Sequence, residues 1–407
     1  MRSIVAIASI LLLFSCAKSH EEHSSTESIE VLPRFESPAG EKSGLPHLIK
    51  GDNGKLYMSW VEVDGEYATL KYASLEEGQW SESEVIASGD NWFVNWADYP
   101  IMAVDSAGNI MAHFPAKSAP ETYAYDVNVV IKSAGDREWS EPFIVHSDGT
   151  QTEHGFVSML PQNDGSFRIA WLDGRYTGSA GHDHDHGGDG AMTIRTALVN
   201  LEGEVIEENE LDHRVCDCCQ TGMTRSTSGE YVVYRDRSED EIRDMYFVRN
   251  IGASWSEPQR IAEDNWNIAG CPVNGPRIAS YGDALAVAWF TAADGIPKVK
   301  LSFASNEESF AVPILIDDTQ PLGRLDIIML DQNRAIVSWL DNDDGTLIKY
   351  QVIDRNGQKS PVQIVAKTSE SRSSGFPQME LVNDALFFAW TVNEGEGFGI
   401  EMARVQL

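Results

Sequence analysis

Apolar and polar residues alternate in short segments along this chain, and one such segment recurs seven times at intervals of 50 to 64 residues. Each copy has five residues, alternates with a period of two and ends in a large side chain. This pattern predicts a β-strand with one buried face. The copies are LYMSW (56–60), IMAHF (110–114), FRIAW (167–171), YVVYR (231–235), LAVAW (285–289), AIVSW (335–339) and LFFAW (386–390).

The same order of elements surrounds each copy of the segment. A strand and a tight turn rich in Gly, Asp and Asn precede it, and a loop, a third strand, a turn and a fourth strand follow it. Four antiparallel strands repeated at this spacing are typical of the blades of a β-propeller. The sequence therefore predicts an all-β propeller of seven four-stranded blades, with six blades as the alternative.

The last repeat ends at Leu407, soon after its third strand, so its outer strand is missing. The segment SIEVLPRFE (28–36) precedes the first repeat and is predicted to supply that strand and close the ring. Closure removes the free sheet edges that would otherwise pair with other chains. We therefore interpret residues 29–407 as a single propeller domain.

The N-terminus reads MRSIVAIASILLLFSC, with an apolar run too short to span a bilayer. Leu13-Phe14-Ser15-Cys16 resembles the lipobox of bacterial lipoproteins. The resemblance implies that residues 1–16 form a signal with an acylated Cys16, and residues 17–28 are read as a flexible tether. The expected location is the bacterial cell envelope, lipid-anchored on the periplasmic or cell-surface side. Plain secretion and a buried N-terminal helix are the alternatives.

The formal net charge of −32 excludes a nucleic-acid partner, because phosphate binding needs a basic face. The expected partners are the membrane, through the N-terminal lipid, and a glycan, a peptide or a small anionic ligand. The protein is expected to be a monomer.

Three turns between third and fourth strands read EEGQWSES (76–83), AGDREWSEP (134–142) and IGASWSEP (251–258). They resemble degenerate Asp-boxes of sialidases and other BNR-repeat proteins, although the Asp of the box is missing. The resemblance implies a propeller in which these tryptophans cover blade edges opposite the active face. Sialidases clamp a carboxylate with three arginines, and Gly44 stands where the first arginine is expected. The clamp is therefore incomplete.

In a propeller, the loops between blades and the loops after each second strand share one face, here called the mouth face. Binding groups usually lie on loops held by a rigid scaffold. The catalytic candidates on this face are Asp98, Glu153 and Asp236, since glycoside hydrolysis needs two facing carboxyls. The ligand-binding candidates are Arg175, Arg235, Arg237, Arg243, Trp96 and Asn274. An internal salt-bridge lattice is the alternative role for the arginines.

Four of the five cysteines lie on the mouth face: Cys216, Cys218, Cys219 and Cys271. Outside the inner membrane, two disulfides are expected, one of them joining Cys271 to the triplet. Two alternatives remain open, a thiolate site for zinc or cuprous ion and a redox dithiol.

The loop after the second strand of the third repeat contains His182, His184 and His186 in alternation with aspartates. Imidazole and carboxylate groups together bind zinc, copper or nickel. The alternative is a solvated insertion. Three functions follow from the sequence: a ligand-binding propeller, a sialidase-like glycoside hydrolase, and a periplasmic protein that binds copper or zinc. No cofactor is certain, and zinc and copper are the candidates.

Overall fold

The recurring segment is the second strand of a four-stranded antiparallel sheet in all seven repeats, so the prediction of seven blades is confirmed and six is wrong. The computed structural model describes residues 30–178, 190–252, 254–343, 345–394 and 397–407.

The first four blades follow the chain in order. Blade 1 has β2 (Ser43–Lys50), β3 (Leu56–Asp64) and β4 (Tyr67–Glu76), with β5 (Gln79–Trp80) and β6 (Glu84–Gly89) both pairing with β4. Blade 2 has β7 (Met102–Val104), β8 (Ile110–Lys117), β9 (Tyr125–Lys132) and β10 (Phe143–Ile144). Blade 3 has β11 (His154–Pro161), β12 (Phe167–Asp173), β13 (Met192–Val199) and β14 (Val205–Val215). Blade 4 has β15 (Gly222–Ser226), β16 (Gly229–Arg235), β17 (Met245–Asn250) and β18 (Gln259–Arg260).

Three more blades complete the ring. Blade 5 has β19 (Arg277–Tyr281), β20 (Ala284–Thr291) and β21 (Lys298–Asn306), with β22 (Ser309–Phe310) and β23 (Ile314–Asp317) pairing with β21. Blade 6 has β24 (Pro321–Met329), β25 (Arg334–Asp341), β26 (Leu347–Asp354) and β27 (Gln363–Lys367). Blade 7 has β28 (Gln378–Val382), β29 (Ala385–Glu394), β30 (Gly397–Gln406) and β1 (Arg34–Phe35). Short 3-10 turns occur at Ala293–Gly295 and Arg372–Ser374.

The large residues that end the recurring segments form the core between the blades. Trp60, Trp171, Trp289, Trp339 and Trp390 are at most 1% exposed. Most of their indole N–H groups donate to carboxylates, as Trp171 does to Asp173 over 2.8 Å. Burying the ring while satisfying its one polar group makes the four that donate, Trp60, Trp171, Trp289 and Trp339, strong contributors to stability.

Trp139 and Trp255, from the turns between third and fourth strands that resemble degenerate Asp-boxes, pack onto the preceding blade. Trp139 of blade 2 meets Tyr72 of blade 1 edge-on, with ring centroids 5.9 Å apart. The Arg168 guanidinium of blade 3 lies 5.5 Å from the ring centroid of Trp255 in blade 4. These contacts cover blade edges, as the resemblance implied.

The N-terminal segment closes the ring as predicted. Arg34 and Phe35 pair antiparallel with Ala403 and Met402 of β30. The Phe35 ring also packs edge-on against Phe387, 5.3 Å between centroids. Blade 7 is therefore built from both ends of the propeller.

Two predicted sites lie outside the described residues. Cys16 belongs to residues 1–29, and His182, His184 and His186 belong to residues 179–189. The lipid anchor and the histidine-loop metal site stay predictions. Among the described residues, no helix has the length and apolarity needed to cross a membrane.

Candidate functional site

A buried thiol cluster, formed by Cys216, Cys218 and Cys219, lies in the loop that leads from β14 of blade 3 into β15 of blade 4. The backbone N–H of Cys216 donates to the carbonyl of Arg235 over 2.9 Å. At the far end of the loop, the Thr221 hydroxyl donates to the carbonyl of Phe156 over 2.8 Å. These bonds fix the short loop at both ends and hold the cysteines at the mouth face.

The sulfur atoms of the thiol cluster are close together and not bonded to one another. The Sγ atoms of Cys216 and Cys219 are 3.5 Å apart, and the three Sγ atoms lie within 4.8 Å of one another. Cys271, from the loop entering blade 5, is exposed. All four are free thiols in this structure, and the predicted disulfides stay predictions.

Two arginines predicted to bind ligand form an ion-pair network against the thiol cluster. Arg243 donates to Cys216 Sγ over 3.3 Å and to Glu241 over 2.8 Å. Arg237 donates to the same Glu241 over 2.7 Å and to Asp217 over 3.1 Å. The network places the buried Arg243 guanidinium against the sulfur atom of Cys216.

The cysteines of the cluster differ in how readily they ionise. Burial raises the pKa of Cys216, and it raises the pKa of Cys218 well above the usual value. Burial also opposes ionisation of Cys219. However, hydrogen bonds from the other two thiols and the charge of Arg235 hold its pKa well below the usual value. The arrangement favours a thiolate at Cys219 that accepts hydrogen bonds from the thiols of Cys216 and Cys218.

Arg235 and Asn274 connect the loops around the thiol cluster. Arg235 is 2% exposed and donates to three backbone carbonyls, those of Arg243, Asn274 and Phe290, over 2.7 to 2.8 Å. Its guanidinium lies 4.8 Å from the ring centroid of Trp266. Asn274 Oδ1 accepts from the backbone N–H of Arg324 over 2.7 Å. Both side chains are used inside the protein, which is the alternative role that the sequence left open for the arginines.

The remaining ligand-binding candidates also have internal partners. Arg175 donates two hydrogen bonds, of 2.7 and 2.8 Å, to the carboxylate of Asp173. Trp96 stacks on Phe376 with centroids 5.8 Å apart, and the Arg324 guanidinium lies 4.8 Å from its ring centroid.

Two of the catalytic candidates, Asp98 and Glu153, meet through Tyr125, which sequence reasoning missed. The Tyr125 hydroxyl lies 2.8 Å from Asp98 Oδ2 and 2.7 Å from Glu153 Oε1. The Tyr125 hydroxyl has one proton and can donate it to only one of the two carboxylates. The hydrogen bond to the other carboxylate therefore needs a second proton. Burial raises the pKa of Asp98 to about 7, against hydrogen bonds from Tyr125 and the Phe156 backbone. Asp98 is therefore the group that carries the second proton at neutral pH and below.

Asp236, the third catalytic candidate, has other electrostatic neighbours. Burial and the nearby Asp212 raise the pKa of Asp236 to about 7. Asp212 in turn accepts from the Tyr234 hydroxyl over 2.7 Å. Asp236 thus belongs to a carboxyl pair beside blade 4.

An axial cavity of about 350 Å³ runs between the first strands of the blades. Its lining includes His47, Tyr99, Gln220, Arg277, Asp326 and Glu380. Towards the mouth face, the Gln220 amide donates to the carbonyl of Ala97 over 2.8 Å and accepts from the N–H of Gly275 over 3.2 Å. Gln220 thereby ties together the loops that enter blades 2, 4 and 5.

No family model and no curated protein matches the chain. Several solved structures are similar to it. The BP39L lectin from Burkholderia pseudomallei is 11% identical, with a TM-score of 0.59 over 90% of this chain and 96% of that one. The polysaccharide lyase Uly1 is 8% identical, with a TM-score of 0.53 over 95% of both chains. The GH93 α-L-arabinofuranosidase of Fusarium graminearum is 13% identical, with a TM-score of 0.50 over 76% and 92%. Identities this low establish the propeller fold alone.

Proposed function

We propose that this protein is a lipid-anchored propeller of the bacterial cell envelope that binds a soft metal ion, Zn²⁺ or Cu⁺, through Cys216, Cys218 and Cys219. The observation that carries the proposal is the approach of three unbridged sulfur atoms, from two buried cysteines and one partly buried cysteine, to within 4.8 Å of one another. Thiolates are the preferred ligands of both ions.

The spacing of the sulfur atoms supports a metal site. Sulfurs bound to a tetrahedral zinc ion at about 2.3 Å lie about 3.8 Å apart. The 3.5 Å between the Sγ atoms of Cys216 and Cys219 is close to this value. Cys271, a free and exposed thiol on the loop that enters blade 5, is the candidate for a fourth zinc ligand. Without Cys271, three sulfurs suit cuprous ion.

A metal is favoured over the other predicted ligands because the mouth-face arginines already have partners. An anionic glycan or peptide needs free guanidinium donors, whereas Arg175, Arg235, Arg237 and Arg243 all donate to groups of the protein. The buried Arg243 has a clear use next to a metal, since it offsets the negative charge that three thiolates leave on the complex.

Metal content after purification tests the proposal. We expect protein prepared under reducing conditions without an affinity tag to contain zinc or copper by mass spectrometry. The variant Cys216→Ser/Cys218→Ser/Cys219→Ser should contain one equivalent less than the wild-type protein. The control His182→Gln/His184→Gln/His186→Gln removes the other predicted metal ligands and should keep the ion. Reduced, metal-free protein that takes up neither Zn²⁺ nor Cu⁺ would overturn the proposal.

A glycoside hydrolase is the second candidate function, and the Asp98–Tyr125–Glu153 cluster supports it. Because one phenol oxygen contacts both carboxyls, their oxygens lie no more than about 5.5 Å apart, in the range of retaining enzymes. We expect any activity on a panel of reporter glycosides to fall at least a hundredfold in Glu153→Gln, an effect of about 3 kcal/mol on the barrier. The control Glu141→Gln alters an exposed turn. Absence of turnover across the panel would eliminate this candidate.

A further inference from the structure

A second group of metal-binding side chains lies between blades 2 and 3, and contains none of the cysteines. This His/Asp cluster comprises Asp126, His146, Asp148, His154 and Asp173. Asp126 is the second residue of β9, His146 and Asp148 lie in the loop between the blades, and His154 begins β11. Strand pairing places His154 opposite Asp173, the last residue of β12.

The two imidazole rings are stacked, with centroids 3.8 Å apart and planes 11° from parallel. A carboxylate lies at each edge of the stack. At one edge, Asp148 Oδ2 is 2.9 Å from His146 Nδ1 and 3.3 Å from His154 Nε2. At the other edge, Asp126 Oδ1 is 3.7 Å from His146 Nε2 and 3.6 Å from His154 Nδ1.

The hydrogen bond between His146 and Asp148 determines which ring nitrogen of His146 is available to bind a metal. Because Asp148 is a carboxylate, His146 donates its Nδ1 proton to it over 2.9 Å, and Nε2 keeps the lone pair. That Nε2 atom is buried, has no hydrogen-bond partner and faces Asp126. A carboxylate that orients a histidine in this way is a recurrent feature of metal sites.

The charges of the cluster favour a cation. Three carboxylates, Asp126, Asp148 and Asp173, lie within 4 Å of the two imidazoles. Arg175 supplies one guanidinium, which binds Asp173 at 2.7 Å and approaches Asp148 at 3.5 Å. Buried carboxylates are costly unless a positive charge compensates them. One guanidinium does not balance three.

We propose that the His/Asp cluster is a second metal site for a divalent transition-metal ion of the zinc class, with His146 Nε2, Asp126 and His154 as ligands and Asp148 orienting His146. Ligands about 2.1 Å from a tetrahedral ion lie about 3.4 Å apart, close to the 3.7 Å between His146 Nε2 and Asp126 Oδ1. An imidazole binds a metal in its own plane, so His154 must turn out of the stack, and away from the Thr152 carbonyl 3.2 Å from its Nδ1, to become a ligand. The site goes beyond the proposed thiolate function, since it uses hard and borderline ligands.

Cobalt(II) distinguishes the two sites by absorption spectroscopy. The full chain carrying Cys216→Ser/Cys218→Ser/Cys219→Ser/Cys271→Ser and His182→Gln/His184→Gln/His186→Gln lacks the other proposed ligands. We expect it to bind one equivalent of Co²⁺ with weak visible bands and without the intense near-ultraviolet band of cobalt thiolates. In this background, His146→Gln or Asp126→Asn should weaken binding at least about a hundredfold, and Asp148→Asn about tenfold.

The matched control is His213→Gln, whose side chain is 87% exposed on blade 3. It should leave Co²⁺ binding unchanged. If the folded background binds no Co²⁺, or if binding survives both His146→Gln and Asp126→Asn, the second site does not exist. Should a ligand variant fail to fold, ¹⁵N spectra of the imidazoles in the background give the answer. Zn²⁺ must then shift the signals of His146 and His154, and unchanged signals would refute the site. Failure of the thiolate site would appear only when the cysteines are present, so the two proposals fail separately.

Discussion

Arg235→Met is expected to lower the free energy of unfolding by about 3–5 kcal/mol, because three buried carbonyls lose their donors at a cost of about 1–3 kcal/mol each. Those carbonyls belong to Arg243, Asn274 and Phe290, on loops and strands of blades 4 and 5. Methionine preserves much of the packing against Trp266, so the loss reports the hydrogen bonds rather than a cavity.

Urea unfolding of the reduced protein measures this effect. The control Arg334→Met removes a side chain that is 56% exposed and pairs with Asp331, and it should change stability by less than about 0.5 kcal/mol. A loss below about 1 kcal/mol in Arg235→Met would show that the buried network is not a brace. It would return Arg235 to the list of ligand-binding candidates.

Asp98→Asn is expected to stabilise the protein by about 2–4 kcal/mol at about pH 8 and to have little effect at about pH 3, below the unfolded pKa. The folded-state pKa of Asp98 is about 7, above the unfolded value of 3.8. Between these values the folded state binds more protons than the unfolded state, so stability falls as pH rises and the contribution is lost above about pH 7. Asparagine reproduces the protonated acid, donating to the Tyr125 hydroxyl while its oxygen accepts from the Phe156 N–H.

Denaturation curves at several pH values test this second expectation. The wild-type protein should lose stability from acid to alkaline pH, and Asp98→Asn should have a flatter profile. The exposed turn variant Asp136→Asn should keep the wild-type slope. If the stability of Asp98→Asn falls with pH as steeply as that of the wild-type protein, Asp98 is ionised over the whole pH range. The Tyr125 proton must then be arranged differently between Asp98 and Glu153.

The propeller was predictable because its signal is local and repeated. Period-two alternation identifies each second strand without knowledge of its partners, and seven copies at a nearly constant spacing leave few alternatives. Ring closure was predictable for a similar reason, since the last repeat lacked a strand and residues 28–36 could supply one. The thiol cluster was also visible, because its three cysteines are adjacent in sequence.

The His/Asp cluster could not be predicted, because its members come from four separate segments. Nothing in the sequence joins His154 to Asp126 or His146. Their proximity depends on the strand register and on the course of the loop between blades 2 and 3. Tyr125 was missed for the same reason. The roles of the arginines depend on whether internal acceptors lie within reach, which only the folded loops decide.

The closing strand of blade 7 also has a consequence for how the protein folds. The ion pair between Arg34 and Glu401 joins residues 367 positions apart in the chain. Such a distant contact carries a large loop-closure entropy and slows folding. Until it forms, β30 presents an unpaired edge that accepts the corresponding strand of another molecule just as well. At high concentration, refolding should therefore yield strand-swapped dimers, whereas tethering each molecule separately to a surface would favour closure within one chain.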